Sequence, residues 1–107
     1  MPTYLTAFRQ TSDTWAKLLA KPADRRETLG PIIESLGGKL LGYWYAFGDV
    51  DGYTLFEAPD DVAAASLLVN VGATGALSVS TTKLLTVEEM VDALSRAGSV
   101  SYTPPGG

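Results

Sequence analysis

KLLGYWYAFGDVDGYTLFEA, residues 39–58, decides how this chain folds. From Lys39 to Phe47 the stretch carries no charge after Lys39 and is rich in aromatic side chains, which suits a pleated, half-buried surface. Leu41, Tyr43, Tyr45 and Phe47 fall on one face of such a strand, and Leu40, Gly42, Trp44 and Ala46 on the other. Both faces are therefore apolar. Gly48-Asp49-Val50-Asp51-Gly52 has turn chemistry, because glycine and aspartate tolerate the φ/ψ values that turns require. Tyr53 to Ala58 returns as a second strand, so the pair predicts a hairpin.

Upstream, Thr3 to Arg9 is partly alternating and rich in β-branched and aromatic residues, which predicts the first strand. Thr11, Ser12 and Asp13 offer N-cap side chains to a helical run through Trp15, Leu18 and Leu19, which Pro22 interrupts. Leu29, Ile32, Ile33 and Leu36 follow at the spacing of an amphipathic helix that begins near Asp24 and ends at Gly37-Gly38. Pro31 removes an amide donor inside it, so a kink or break is expected there. Downstream, Pro59-Asp60-Asp61 opens a helix, Val62 to Val71, that is apolar almost all round. Gly72 and Gly75 stop it, and Ala76 to Leu85 forms a fourth strand. Thr86 and Glu89 fit a capping box for a last helix that buries Val87, Met90, Val91 and Leu94 and leaves Glu88, Glu89, Asp92 and Arg96 in water. This unit, residues 1–97, is followed by an extended tail, 98–107, with Tyr102 and Pro104-Pro105.

This order, β-α-β-β-α-β plus a C-terminal helix, joined by short links and right-handed crossovers, predicts an α+β, ferredoxin-like sandwich with its long helices on one sheet face. The second and fourth strands then lie at the edges, and the other sheet face is bare. An uncharged edge and an apolar bare face predict a homo-oligomer, a dimer or larger, in which a second copy covers them.

Composition narrows the chemistry. At 107 residues, 46% apolar and 19% charged, the chain is sized for one core and far from the composition of disordered segments. A formal net charge of −4 argues against a nucleic-acid backbone binder. Cysteine is absent, so thiolate nucleophiles, zinc-thiolate sites and disulfides are excluded. Histidine is absent as well, which removes the usual acid/base, the usual haem ligand and the base of a serine triad. No cofactor and no metal are expected. No apolar run approaches a bilayer span and no signal-peptide pattern opens the chain, so a cytoplasmic location without membrane partners is expected.

Few side chains suggest a site. Glu57 is the only carboxylate within its strand, and in an apolar wall its raised pKa would suit a general acid or base. A strand-end glutamate in water is the plainer reading. Tyr4, Trp44, Tyr45 and Tyr53, with the single asparagine Asn70, are candidate ligand-binding residues for a flat apolar molecule. Aromatics fill cores and interfaces equally well. Asp49-Val50-Asp51 resembles part of a calcium loop, but the remaining ligands are missing and a turn is favoured. Arg25 and Arg26, flanked by Asp24 and Glu27, suggest a solvated helix face.

Gly37-Gly-Lys-Leu40, Gly42-Tyr-Trp44, Ala46-Phe-Gly-Asp49, Glu57-Ala-Pro-Asp60 and Leu84-Leu-Thr-Val-Glu-Glu89 together resemble the GYD family of small bacterial proteins. The likeness extends to Asp24-Arg25-Arg26, Pro31, Thr81-Thr82 and the Tyr102-Thr-Pro-Pro-Gly106 tail. Val50 stands where the family's eponymous turn has tyrosine, so no role of that tyrosine carries over. The resemblance implies a ferredoxin-like fold of the dimeric α+β barrel type and no particular activity; related barrels include cofactor-free oxygenases, isomerases, cyclases and haem-degrading enzymes. Two functions are thereby expected to compete. One is small-molecule binding, with or without cofactor-free catalysis on an aromatic or enolisable compound; the other is a non-catalytic binding or assembly module.

Overall fold

The computed structural model describes residues 1–106; of the expected tail, Gly107 lies outside the described residues. Eight elements follow in order: β1 (Thr3–Gln10), α1 (Ser12–Ala20), α2 (Arg26–Ser35), β2 (Lys39–Tyr45), β3 (Gly52–Glu57), α3 (Asp61–Ala73), β4 (Leu77–Leu84) and α4 (Val87–Ala97). The four strands form one antiparallel sheet in the order β2-β3-β1-β4, which puts β2 and β4 at the edges. This is the expected α+β ferredoxin-like arrangement.

Side-chain caps start three of the helices. Thr11, Asp60 and Thr86 each accept a hydrogen bond from a backbone amide three residues on, and Glu89 returns a bond to the Thr86 amide to complete the capping box. Asp60 is thus the N-cap of α3, with Pro59 just outside the helix. α2 runs on through Pro31, so of the expected kink or break there is no break. Pro31 is the sixth residue of the helix, past the first turn, and α2 forgoes the bond that an amide there would have made to the Glu27 carbonyl.

The hairpin turn is held by Asp51. Its amide donates to the Phe8 carbonyl at 2.8 Å, its carbonyl accepts from the Ala46 amide at 2.9 Å, and its carboxylate accepts from the Gln10 amide at 2.7 Å. These bonds account for the turn without a bound cation.

The faces of β2 differ from simple alternation. A bulge places Leu40 opposite Phe56 and Gly42 opposite Leu55, so Leu41 is the extra residue. Leu40, Tyr43 and Tyr45 therefore share the helix-covered side, Gly42 and Trp44 lie on the open side, and Phe47 is fully exposed beyond the strand. Glycine at position 42 is needed because any Cβ there would meet the Trp44 indole ring, which lies across it.

Between sheet and helices, Tyr4, Ile33, Phe56, Ala58, Ala64 and Leu67 make the core, with Tyr4 and Phe56 stacked at 5.3 Å between ring centroids. The Tyr4 hydroxyl donates to Asp61 Oδ1 at 2.6 Å, and Lys83 pairs with the same carboxylate at 3.0 Å. Burial, then this bond to the carboxylate, push the Tyr4 hydroxyl up to about 12. The same two partners, Tyr4 first, hold Asp61 below the usual carboxylate range.

The last helix departs from expectation. α4 buries none of its residues, and Val87, Met90, Val91 and Leu94, expected inside, are 45% to 75% exposed. Only Leu85 and Thr86 separate it from β4, and the molecule is 58 Å long against 35 and 23 Å in the other directions.

Candidate functional site

The helix-covered side of the sheet is not filled along its whole length. The core occupies the end where β1 starts and β3 finishes, while the other end leaves a partly enclosed cavity of about 460 Å³. That volume falls in the range of small-molecule sites, roughly 300–1,000 Å³.

Every strand contributes to its floor. Thr6, Phe8 and Gln10 come from β1, Tyr43 from β2, Thr54 and Phe56 from β3, and Leu77 and Val79 from β4. They reach one space because residues two apart share a face and the register sets Phe8 opposite Gly52 and Val79. Glycine at 52 matters here, since a Cβ would meet the Phe8 ring. The roof is mostly apolar, with Leu18 of α1, Leu29, Ile32 and Ile33 of α2, and Leu67, Leu68 and Val71 of α3, joined by Thr14 and Lys17 of α1 and Thr28 of α2.

The polar lining consists of the hydroxyls of Thr6, Thr14, Thr28, Tyr43 and Thr54, the Gln10 amide and three cations. Thr6 and Thr54 are buried, and the Thr6 hydroxyl is shared with that of Thr81 at 2.8 Å. Gln10 Nε2 is buried with no hydrogen-bond partner, among the described residues. The Tyr43 hydroxyl is pushed well above the ordinary tyrosine value by burial and then by the adjacent Tyr45 hydroxyl, so it is a neutral donor at physiological pH. Three cations, Lys17, Lys21 and Arg25, also border the cavity. Lys17 is paired with Asp13 at 3.2 Å; Lys21 and Arg25 make no ion pair among the described residues. No carboxylate lines the space. The site can thus hold an apolar body and offer donors and positive charge to an oxygen-bearing end.

The residues singled out from the sequence fall elsewhere. Glu57 lies on the open side of the sheet, opposite Thr3 and Lys39, and does not border the cavity. Tyr4 belongs to the core, Asn70 is on the exposed side of α3, and Trp44 and Tyr53 face each other across β2 and β3 on the open side. Tyr45 comes nearest. With Trp15 at 6.1 Å between centroids it borders a shallower hollow that shares Leu18 and Ala23 with the main cavity. The aromatic residues that do line the cavity are Phe8, Tyr43 and Phe56, none of them among the candidates. Arg26 pairs with Asp24 at 2.8 Å as a solvated face should, whereas Arg25 stands at the mouth. The residues missed, Lys17, Lys21 and Arg25, recur every fourth position, a spacing hidden by Pro22. Gln10 carried no signal beyond closing a strand.

Among the described residues no group of acidic residues could hold a metal ion, and no helix is long and apolar enough to cross a membrane. An antiparallel α+β sandwich of this kind hosts many unrelated functions, so the fold by itself assigns none. The chain belongs to the GYD domain family, whose sequence profile matches residues 4–94. No curated protein and no solved structure matches it.

Proposed function

We propose that this protein binds a small molecule with a flat apolar body and an anionic or enolate oxygen in the cavity between the sheet and the helices. The observation that carries this reading is the polarity of the cavity: apolar walls, the Tyr43 and threonine hydroxyls, and Lys21 and Arg25 at the border. With donors and no carboxylate in the space, any catalysis would consist of stabilising an enolate or similar oxyanion, as a cofactor-free enzyme on an enolisable or aromatic compound requires. Glu57 is not offered as its base, because it faces away.

The working form is proposed to be a cytoplasmic homo-oligomer, the open sheet side being covered by a second copy. Supporting it are Trp44, 52% exposed, and Leu5, Ala7, Tyr53 and Leu55, which share that side. The alternative, an assembly module without a ligand, draws on the same surface but leaves the cavity unexplained.

The binding reading is tested with 2-naphthoate and its uncharged analogue naphthalene. Lys21→Gln with Arg25→Gln should weaken naphthoate binding about fivefold, an effect screened by salt, and leave naphthalene unchanged. Equal loss for both probes, or none for either, would reject the role assigned to the two cations.

A further inference from the structure

α4 is equipped to be a helix and has nothing beneath it. Its capping box and the Asp92–Arg96 pair at 2.9 Å both favour the helical state. Eleven residues are nonetheless too few for a helix to persist in water without packing. The stripe Val87, Met90, Val91 and Leu94 lies on one side, charges lie on the other, and the stripe is open to solvent. A contact for it is therefore missing from the single chain.

We propose that α4 is exchanged between copies, its stripe lying over Trp44 and Tyr53 at the β2 margin of a second copy's open sheet side, reciprocally. This rests on the homo-oligomer reading above and adds which surfaces meet. β2 and β4 are opposite edges. A two-fold axis along the strands would set the β4 edge of one copy over the β2 edge of the other, and α4 leaves β4 after only Leu85 and Thr86. The reach agrees. Leu84, Thr3 and Glu57 are in register across the sheet. From that line Tyr53 lies about 13 Å along β3, and Leu94, seven residues into α4, lies about 10 Å along the helix beyond the two-residue link, by the rises of strand and helix.

Area points the same way. A stable interface takes about 800 Å² of accessible surface from each partner, and one α4 given and one received by each copy add apolar surface to what the open sheet side supplies. The two most exposed apolar residues of the open side, Trp44 and Tyr53, are the ones α4 would cover.

The absence of cysteine makes the test direct. In the full chain, Tyr53→Cys combined with Leu94→Cys is treated with a short bis-maleimide, and peptide mapping identifies the joined residues while light scattering gives the mass in solution. The proposal expects a covalent dimer joined from position 53 of one copy to position 94 of the other. A 53–94 link within one chain, dimers joined only 53–53 or 94–94, or no link would overturn it. An unlinked dimer refutes the α4 contact and leaves the oligomer standing; a monomer refutes both. Trp44→Cys with Val91→Cys repeats the test if the first variant does not fold.

Discussion

Replacing Gln10 by leucine should make the protein more stable without weakening ligand binding. Gln10 Nε2 is closed off from water-sized space with no hydrogen-bond partner among the described residues, although the backbone amide of the same residue is held by the Asp51 carboxylate at 2.7 Å. The Gln10→Leu variant keeps the backbone bond and most of the side-chain volume, and removes the orphaned donor. Burial of an unsatisfied amide costs about 1–3 kcal/mol, so the variant should gain about 1 kcal/mol or more. With a urea m-value of about 1–3 kcal/mol/M, a gain of about 1 kcal/mol should raise the unfolding midpoint by about 0.3–1 M. Binding of 2-naphthoate should stay within about twofold, because the closed-off Nε2 offers a ligand no hydrogen bond. Urea unfolding at one fixed protein concentration, which holds any oligomerisation constant, and a titration monitored by fluorescence measure the two effects. Destabilisation by the substitution, or a several-fold loss of naphthoate affinity, would refute the view that this donor is closed off and unpaired.

Other parts of the account make separate predictions. The folded-state carboxyl of Asp61 is held below its ordinary value, so its contribution to stability is complete above the usual carboxylate pKa of 3.8 and is lost as pH falls through the lowered value. Asp61→Asn should flatten that acid limb of stability, read by thermal unfolding between pH 2 and 5, values set about the same pKa. Tyr4, raised to about 12, has the opposite sense: its contribution is complete below pH 10 and lost progressively as pH climbs through about 12, an alkaline limb that Tyr4→Phe should remove. Trp44→Lys, at the centre of the open side's exposed aromatics, should lower the mass seen by light scattering while leaving the far-ultraviolet spectrum intact; an unaltered oligomer would place the interface elsewhere.

How much of this was legible in the sequence depends on what each residue pattern encodes. The hairpin and the capping box of α4 were readable because each depends on neighbours in the chain, turn residues at 48–52 and Thr86 with Glu89, and the edge position of β2 followed from the order of the elements. The bulge at Leu41 was not, since Leu40, Leu41 and Gly42 carry no mark of which residue is extra, and one inserted residue reverses the faces. The stripe of α4 announced an apolar contact but not whose, so burial within the same chain was the wrong inference from a correct pattern. The cavity was invisible for a different reason. It is a volume left between Phe8, Leu29 and Val71, and periodicity records which side chains point inward without recording whether they meet. Aromatics such as Trp44 and Tyr53 drew attention by their size, while the residues that border the space, Gln10, Lys21 and Arg25, are ordinary in type and distant from one another along the chain.

The central claim, that the cavity between sheet and helices is the binding site, is tested most directly by mapping amide chemical shifts on the labelled full-length protein as 2-naphthoate is added. The account predicts saturable shifts at Gln10, Tyr43, Thr54 and Val79, on all four strands beneath the cavity, with the open-side residues Leu5, Trp44 and Leu55 unmoved. Shifts centred on Trp44, Tyr53 and Glu57 would contradict it and move the site to the other side of the sheet, and a spectrum that does not respond would contradict the binding of this class of molecule altogether.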